Sequence, residues 1–232
     1  MPDPATWTEL LAGDPLAGSS VLDLAHPVEP GMPVWPGHPA YRRTAVSSLA
    51  AGDASEVGEL HAGEHLGTHV DAPVHFVAGG RDVAHADWVR PLRRLATVTG
   101  ADPTRVTAAD VERFEAEHGR LQPGDAVAAA SGWDRHWGRP EYFGDAWPVV
   151  APEVGELLLD RRCSLLLVDT PSPDPDTDAV PLHRRLLAAG CLIGENARRL
   201  DRLPPLALLC AVPLPVVGGS GVPWRPLAIV PA

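Results

Sequence analysis

The feature that most constrains the fold is a set of short, almost wholly apolar segments. SLLLVDT (164–170) has the length of a strand and an unbroken apolar run, which is typical of a strand whose sheet is covered on both faces. DAVAAAS (125–131), LALLCAV (206–212) and PLAIV (226–230) are of the same kind. Because helical patterns lie between these segments, we predict an α/β fold with one mixed sheet.

Three segments have helical patterns. TAADVERFEAEHG (107–119) begins at Thr107, a good N-cap residue, and ends at Gly119. The other two helical segments are PEVGELLLDRR (152–162) and PLHRRLLAAG (181–190). Segments richer in alternating apolar and polar residues predict further strands in the N-terminal part, at 19–28, 41–49 and 92–100.

Composition and charge narrow the functional classes. The chain has 232 residues, no visible repeat and no low-complexity linker, so we expect a single domain over residues 1–232, with an N-terminal extension at 1–19. The net charge of −11 argues against nucleic-acid binding, which needs clustered Lys and Arg. The sequence shows no signal-peptide pattern and no run of about 18 apolar residues. We therefore expect a cytoplasmic protein without a membrane partner.

The segment HLGTHVDAPVHF (65–76) gathers metal-binding side chains. A straight strand would spread them over about 33 Å, and Gly, Thr, Val and Pro are poor helix formers, so only a bent chain brings them together. Gly67 and Pro73 are suited to such a bend. The segment therefore predicts one metal site, with ligands from His65, His69 and Asp71.

A second group of candidate ligands follows the buried strand predicted at 164–170. His183 and Glu195 flank short apolar elements in this part of the chain. In α/β sheets, sites gather where strands end, so this group raises the expectation of a metal centre. Asp169 ends the same strand, where it either orients this second group or caps a turn. GGSG (218–221) matches no phosphate-loop pattern and is predicted to be a loop.

Several segments together resemble one family. HLGTHVDAPVHF resembles the HxGTHxDxPxHF signature of the metal-dependent cyclase family, which includes bacterial kynurenine formamidase and isatin hydrolase. The resemblance covers residues 20 to 231. Its further segments, in chain order, are VLDLAHPVEPGMPVWPGHP, SGWDRHWGRPEYFGD, LLLVDTPSPDP and GVPWRPLAIV.

The resemblance implies a fold, a cofactor and an assembly. The fold is of the swivelling β/β/α type, and the protein is a homodimer or homotetramer. The resemblance also implies a hydrolase with two divalent metal ions, zinc in most members and manganese in some. Matched by motif position, the first ion is held by His65, His69 and Asp71, and the second by Asp71, His183 and Glu195. His75 is the implied acid/base residue.

The resemblance also implies a small-molecule substrate. The first candidate reaction is hydrolysis of N-formyl-L-kynurenine to L-kynurenine and formate. Trp35 and Phe76 are predicted to contact the substrate, and Tyr41 and Trp133 are further candidates for an aromatic pocket. His38 stands where the family more often has Asp, near its substrate pocket. Ring opening of isatin or a lactone, and the reaction of an aromatic polyketide cyclase or dehydratase, are the alternatives within the family.

Two other classes remain open. The first is a mononuclear iron oxygenase, whose iron is held by two His and one carboxylate. HVD (69–71) and His183 could supply such a set, but this interpretation leaves His65 and Glu195 without a role. A non-catalytic binding protein that has kept the motif is the second. His61 lies four residues before His65, and we expect it to be a bystander.

Overall fold

A computed structural model describes residues 18–86, 91–144, 146–175, 177 and 179–231. Most of the predicted N-terminal extension, residues 1–17, lies outside the described residues, and Ser19 already belongs to the first strand. The strands, numbered β1 to β13 in chain order, are Ser19–Asp23, Arg42–Ser47, Val57–His61, His69–Asp71, Leu92–Thr99, Arg105–Val106, Ala126–Ala130, Val149–Val150, Leu165–Val168, Leu192–Glu195, Leu206–Cys210, Gly221–Pro223 and Leu227–Pro231. The helices α1, α2 and α3 are Ala108–His118, Pro152–Asp160 and Pro181–Ala188.

Nine of these strands form one mixed sheet in the order β1-β13-β11-β5-β7-β9-β10-β4-β12. The four central strands, β5, β7, β9 and β10, are parallel. Antiparallel pairs flank them on both sides. The strand pairs β2–β3 and β6–β8 stand apart from this sheet. The predicted α/β fold with a mixed sheet is confirmed.

The sheet is buried on both faces, as SLLLVDT predicts. Leu166 and Val168 of β9 pack in a cluster with side chains of the three described helices. Leu165 and Leu167 point to the opposite face and pack in a second cluster with loop residues such as Trp224. All four residues of β9 are buried, so their apolar side chains stabilise both layers.

The predicted helix ends agree closely with the structure. Thr107 caps α1, and its backbone N–H and hydroxyl both donate to the carboxylate of Asp110. Gly119 follows the helix at a φ of 89°, which favours glycine. The strand predicted over 19–28 ends at Asp23. The short strands β3, β4, β6, β8, β10 and β12 were not predicted. In the described part of the chain, no helix is long and apolar enough to cross a membrane.

Candidate metal centre

The bend predicted at Gly67 is present. Its φ is 59°, and a Cβ there would lie 2.6 Å from the Cε of Met32. The prediction that a turn brings all the ligands of this segment together is only partly correct. After the bend, the chain continues directly as strand β4, His69–Asp71. Residues i and i+2 of a strand share a face, so His69 and Asp71 point the same way. Pro73 then begins a one-turn 3-10 helix that ends at His75.

Strand pairing brings the second group of candidates to the first. β10 lies antiparallel to β4, with Glu195 directly opposite His69. His183 lies in the first turn of α3, which packs on β10. β10 was missed from the sequence because it is only four residues long and contains Gly194. The Cβ missing from Gly194 would lie 2.7 Å from a Leu167 methyl group, so close packing explains the glycine.

The five ligand candidates converge around the Asp71 carboxylate. His65 Nδ1 lies 2.8 Å from Asp71 Oδ1, and His69 Nε2 lies 3.4 Å from the same oxygen. His183 Nε2 lies 3.4 Å from Asp71 Oδ2. Glu195 contacts His69 at 3.2 Å and His183 at 3.0 Å. These atoms form two triads, His65–His69–Asp71 and Asp71–His183–Glu195, each with its ligand atoms within 4.8 Å of one another.

The charges in this centre are strongly coupled. Burial alone would raise the pKa of Asp71, but the neighbouring imidazoles of His65 and His183 hold it well below its ordinary value. Burial alone would lower the pKa of His183, but Asp174, Asp71 and Glu195 raise it well above its ordinary value. The ionised carboxylate of Asp71 therefore faces a protonated imidazole of His183, an arrangement in which a divalent cation can replace the proton.

The donor set fits a divalent ion. Oδ2 of Asp71 is buried and accepts no hydrogen bond from the described residues, a costly state unless a cation meets it. Imidazole nitrogens and carboxylate oxygens are ligands for zinc and for other divalent transition metals. The cluster is therefore a candidate divalent-metal centre.

Residues outside the triads hold the other nitrogen of two histidines. Nδ1 of His69 contacts the carbonyl of Gly67 at 2.8 Å, and the Asn196 amide donates to the same carbonyl at 3.0 Å. Nδ1 of His183 contacts the Asp174 carboxylate at 2.7 Å. Such outer contacts orient metal ligands and fix their tautomers. The role of Asp174 was missed from the sequence, because it depends on contacts across the fold.

Asp174, and not Asp169, contacts a ligand of the second triad and orients it. The Asp174 carboxylate also accepts the backbone N–H groups of Leu182 and His183, so it caps α3. Asp169 instead accepts the backbone N–H and the hydroxyl of Ser131. Burial raises the pKa of Asp169 to about 6. Of the two interpretations of Asp169, the structure supports the turn.

His75 lies beside the triads but belongs to neither. Its ring stacks on that of His65, with centroids 4.0 Å apart, and lies 6.4 Å from that of His183. Burial lowers the pKa of His75 to about 4, so the imidazole is neutral at pH 7. His61 is exposed on β3 and contacts Glu59, outside both triads.

A cavity of about 250 Å³ opens onto this cluster. Trp35, Phe76 and Phe143 form aromatic walls, and His38 also lines the space. Trp35 meets Phe143 edge to face, with centroids 5.8 Å apart. Of the four aromatic residues predicted for a pocket, Trp35 and Phe76 line it, whereas Tyr41 and Trp133 do not.

Comparison with known proteins decides the family. The model of the family described as putative cyclase matches residues 22–175, which contain the first triad. The chain belongs to the cyclase family. This member is 32% identical to an isatin hydrolase from Roseibium aggregatum over 73% of both chains. It is 29% identical to a kynurenine formamidase from Salinibacter ruber, over 89% of this chain and 95% of that relative.

Solved structures agree with the assignment of this cyclase-family member. An isatin hydrolase bound to the product analogue thioisatinate matches over 100% of both chains, with a TM-score of 0.88 and 25% identity. Isatin hydrolase A from Ralstonia solanacearum matches over 99% of both chains, with a TM-score of 0.86 and 26% identity. The predicted cyclase-type fold is confirmed.

Proposed function

We propose that this metal-dependent hydrolase cleaves the carbon–nitrogen bond of an aryl amide, with N-formyl-L-kynurenine as the first candidate substrate. The products are L-kynurenine and formate. The observation that carries the proposal is the position of two triads, joined by Asp71, on the floor of an aromatic cavity. The kynurenine formamidases among the relatives support the choice of substrate.

Two divalent ions are proposed as cofactors, zinc first and manganese second. The first would be held by His65, His69 and Asp71, and the second by Asp71, His183 and Glu195, with Asp71 shared. When bound, such ions polarise a substrate carbonyl and lower the pKa of water from 15.7 to about 7.

The remaining chemistry falls to the side chains around the cluster. His75 is neutral at pH 7, so its imidazole takes a proton from the attacking water and returns one to the leaving amine nitrogen. Trp35 and Phe76 hold the aryl ring and exclude water from the cavity. As the tetrahedral carbon collapses, the bond to nitrogen breaks and the carboxylic acid leaves.

Turnover of N-formyl-L-kynurenine tests the proposal. The metal-loaded protein should abolish the absorbance of this substrate, and His75→Ala should retain its ions but lose about 10²–10⁴-fold in kcat. No turnover by fully loaded protein would rule out this substrate. Loss of metal from His75→Ala would show that His75 is a ligand.

Ring opening of isatin is the second candidate function. Among the described residues, the cavity walls carry no Lys or Arg, although N-formyl-L-kynurenine has an ammonium and a carboxylate group to satisfy. Isatin is a neutral, planar lactam, and it suits this aromatic lining. A panel of isatin, formanilides and lactones decides between the two functions. A higher kcat/KM for isatin than for N-formyl-L-kynurenine would replace the first proposal.

The protein is also proposed to form a homodimer or homotetramer. The β2–β3 pair carries the exposed side chains of Val46, Val57 and Leu60, and Leu49 between the strands is exposed as well. An isolated two-stranded pair is marginally stable in water, so a second copy covering it would stabilise it. Light scattering coupled to size exclusion tests the assembly, and a monomer at micromolar concentration would contradict it.

A further inference from the structure

The contacts of His65 point to a further residue that shapes the metal centre. Nδ1 of His65 faces Asp71, whereas its Nε2 lies 2.9 Å from the hydroxyl of Ser220. That hydroxyl lies 2.5 Å from Oε2 of Glu64, and the backbone N–H of Ser220 donates to the same oxygen at 2.9 Å. Neither Glu64 nor Ser220 belongs to a triad, so His65 has an outer contact of its own.

These hydrogen bonds determine where the proton of His65 lies. Oε2 of Glu64 accepts from both the backbone N–H and the hydroxyl of Ser220. The single hydroxyl proton of Ser220 goes to Glu64, which leaves the Ser220 oxygen as an acceptor. Nε2 of His65 must then carry a proton. Nδ1, the ring nitrogen that faces Asp71, is then the nitrogen that would offer its lone pair to a bound ion.

The backbone around Ser220 keeps this hydroxyl in place. A Cβ on Gly221 would lie 2.5 Å from Cε1 of His65, so the ring packs directly on the glycine backbone. Two residues earlier in the loop, the N–H of Gly218 donates to the Asp82 carboxylate at 2.6 Å. The loop that leads into β12 is thus held at Gly218 by Asp82 and at Ser220 by Glu64.

We propose that Glu64 is a positioning residue that acts through Ser220, holding His65 in the tautomer and orientation that bind the first divalent ion. The inference rests on the proposed two-ion function and adds an outer ligand shell to its first triad. Glu64 is exposed and does not line the cavity, and the hydrogen bonds that join it to the ring of His65 run through Ser220.

Ion affinities of matched variants test this role. Glu64→Ala and Ser220→Ala should each weaken zinc binding at the first triad by about 10–100-fold, the range for outer-shell contacts. Zinc dissociation constants are measured by chelator competition, and the imidazole N–H signal of His65 is followed by NMR. The control Glu59→Ala removes an exposed glutamate that contacts His61, which belongs to neither triad.

Further variants separate positioning from a general effect on folding. The zinc affinity of the double variant Glu64→Ala/Ser220→Ala should equal that of the single variant with the larger loss. The two losses should not add, because both residues act in one chain of contacts. Ser220→Thr keeps the hydroxyl and should restore affinity. The second triad should bind zinc as in the unaltered protein.

Three results would overturn the inference. They are zinc affinity in Glu64→Ala equal to that of the Glu59→Ala control, equal losses at both triads, and absence of an ion at the first triad of the unaltered protein. Turnover is not part of this readout. Normal ion binding without hydrolysis of any aryl amide would therefore overturn the proposed function and leave the role of Glu64 standing.

Discussion

The two triads share Asp71 but are built differently. The first takes all its ligands from one stretch of chain, 65–71, and the side chain of His65 is 11% exposed. The second combines β4, α3 and β10, and all three of its ligands are buried. Its histidine is held by the buried carboxylate of Asp174, whereas His65 is held through Ser220 by an exposed glutamate.

This difference predicts that the two sites bind their ions with different affinities. Electrostatic interactions are stronger where water is excluded, so the second ion should bind more tightly. The first site lies nearer solvent, where an ion exchanges more easily. The motif readable from the sequence is thus the more exposed half of the centre, and the half assembled by the fold is the more buried one.

Asp71→Asn should have the largest effect, because it removes the carboxylate common to both triads. Each triad loses a negative charge while its histidines remain, so both ions should be lost or greatly weakened. We expect kcat/KM to fall by more than about 10³-fold. Elemental analysis and kinetics on the same preparation measure both effects. Retention of two ions by this variant would contradict the shared role of Asp71.

Gly221→Ala should separate the triads. Its new methyl group would displace the His65 ring, so the first ion should be lost while the second stays. Gly63→Ala is the matched control, because a Cβ there would make an ordinary contact with Pro39 at 3.4 Å. Zinc titration should find one tight site in Gly221→Ala and two sites in the control. Loss of both ions from Gly221→Ala would show that the triads do not bind independently.

Asp174→Asn should affect the second triad instead. The carboxylate that orients His183 becomes a neutral amide, so the second ion should bind about 10–100-fold more weakly. The loss of a negative charge at the N-terminus of α3 should also destabilise the fold by about 0.3–1 kcal/mol. Asp102→Asn, in an exposed turn, serves as the control for both readouts. If Asp174→Asn weakens binding of the first ion and leaves binding of the second unchanged, the assignment of Asp174 to the second triad is wrong.

The pH dependence of ion binding gives a smaller but graded test. The neighbours of His183 raise its pKa despite burial, so an ion entering the second triad must displace a proton. Affinity should therefore rise about tenfold per pH unit until the pH reaches that raised pKa. The ion-free protein should meanwhile lose the stability contributed by protonated His183. Calorimetry in buffers of different ionisation enthalpy counts the protons, and a pH-independent affinity would contradict this account.

The sequence predicts local features well and long-range ones poorly. The spacing of His65, His69 and Asp71 indicates a metal site because the bend at Gly67 lies within the same segment. The role of Asp174 depends on where α3 begins, and Ser220 meets His65 across 155 positions of sequence. The loop predicted at GGSG gave no sign of this contact, because nothing within the loop itself requires it.

Anomalous diffraction from crystals of zinc-loaded protein tests the central claim most directly. Two peaks should flank the carboxylate of Asp71. Each peak should lie about 2.0–2.2 Å from its ligand atoms, one at His65 and His69 and the other at His183 and Glu195. A single peak held by one triad, or peaks outside these residues, would contradict a centre built from two triads that share one aspartate.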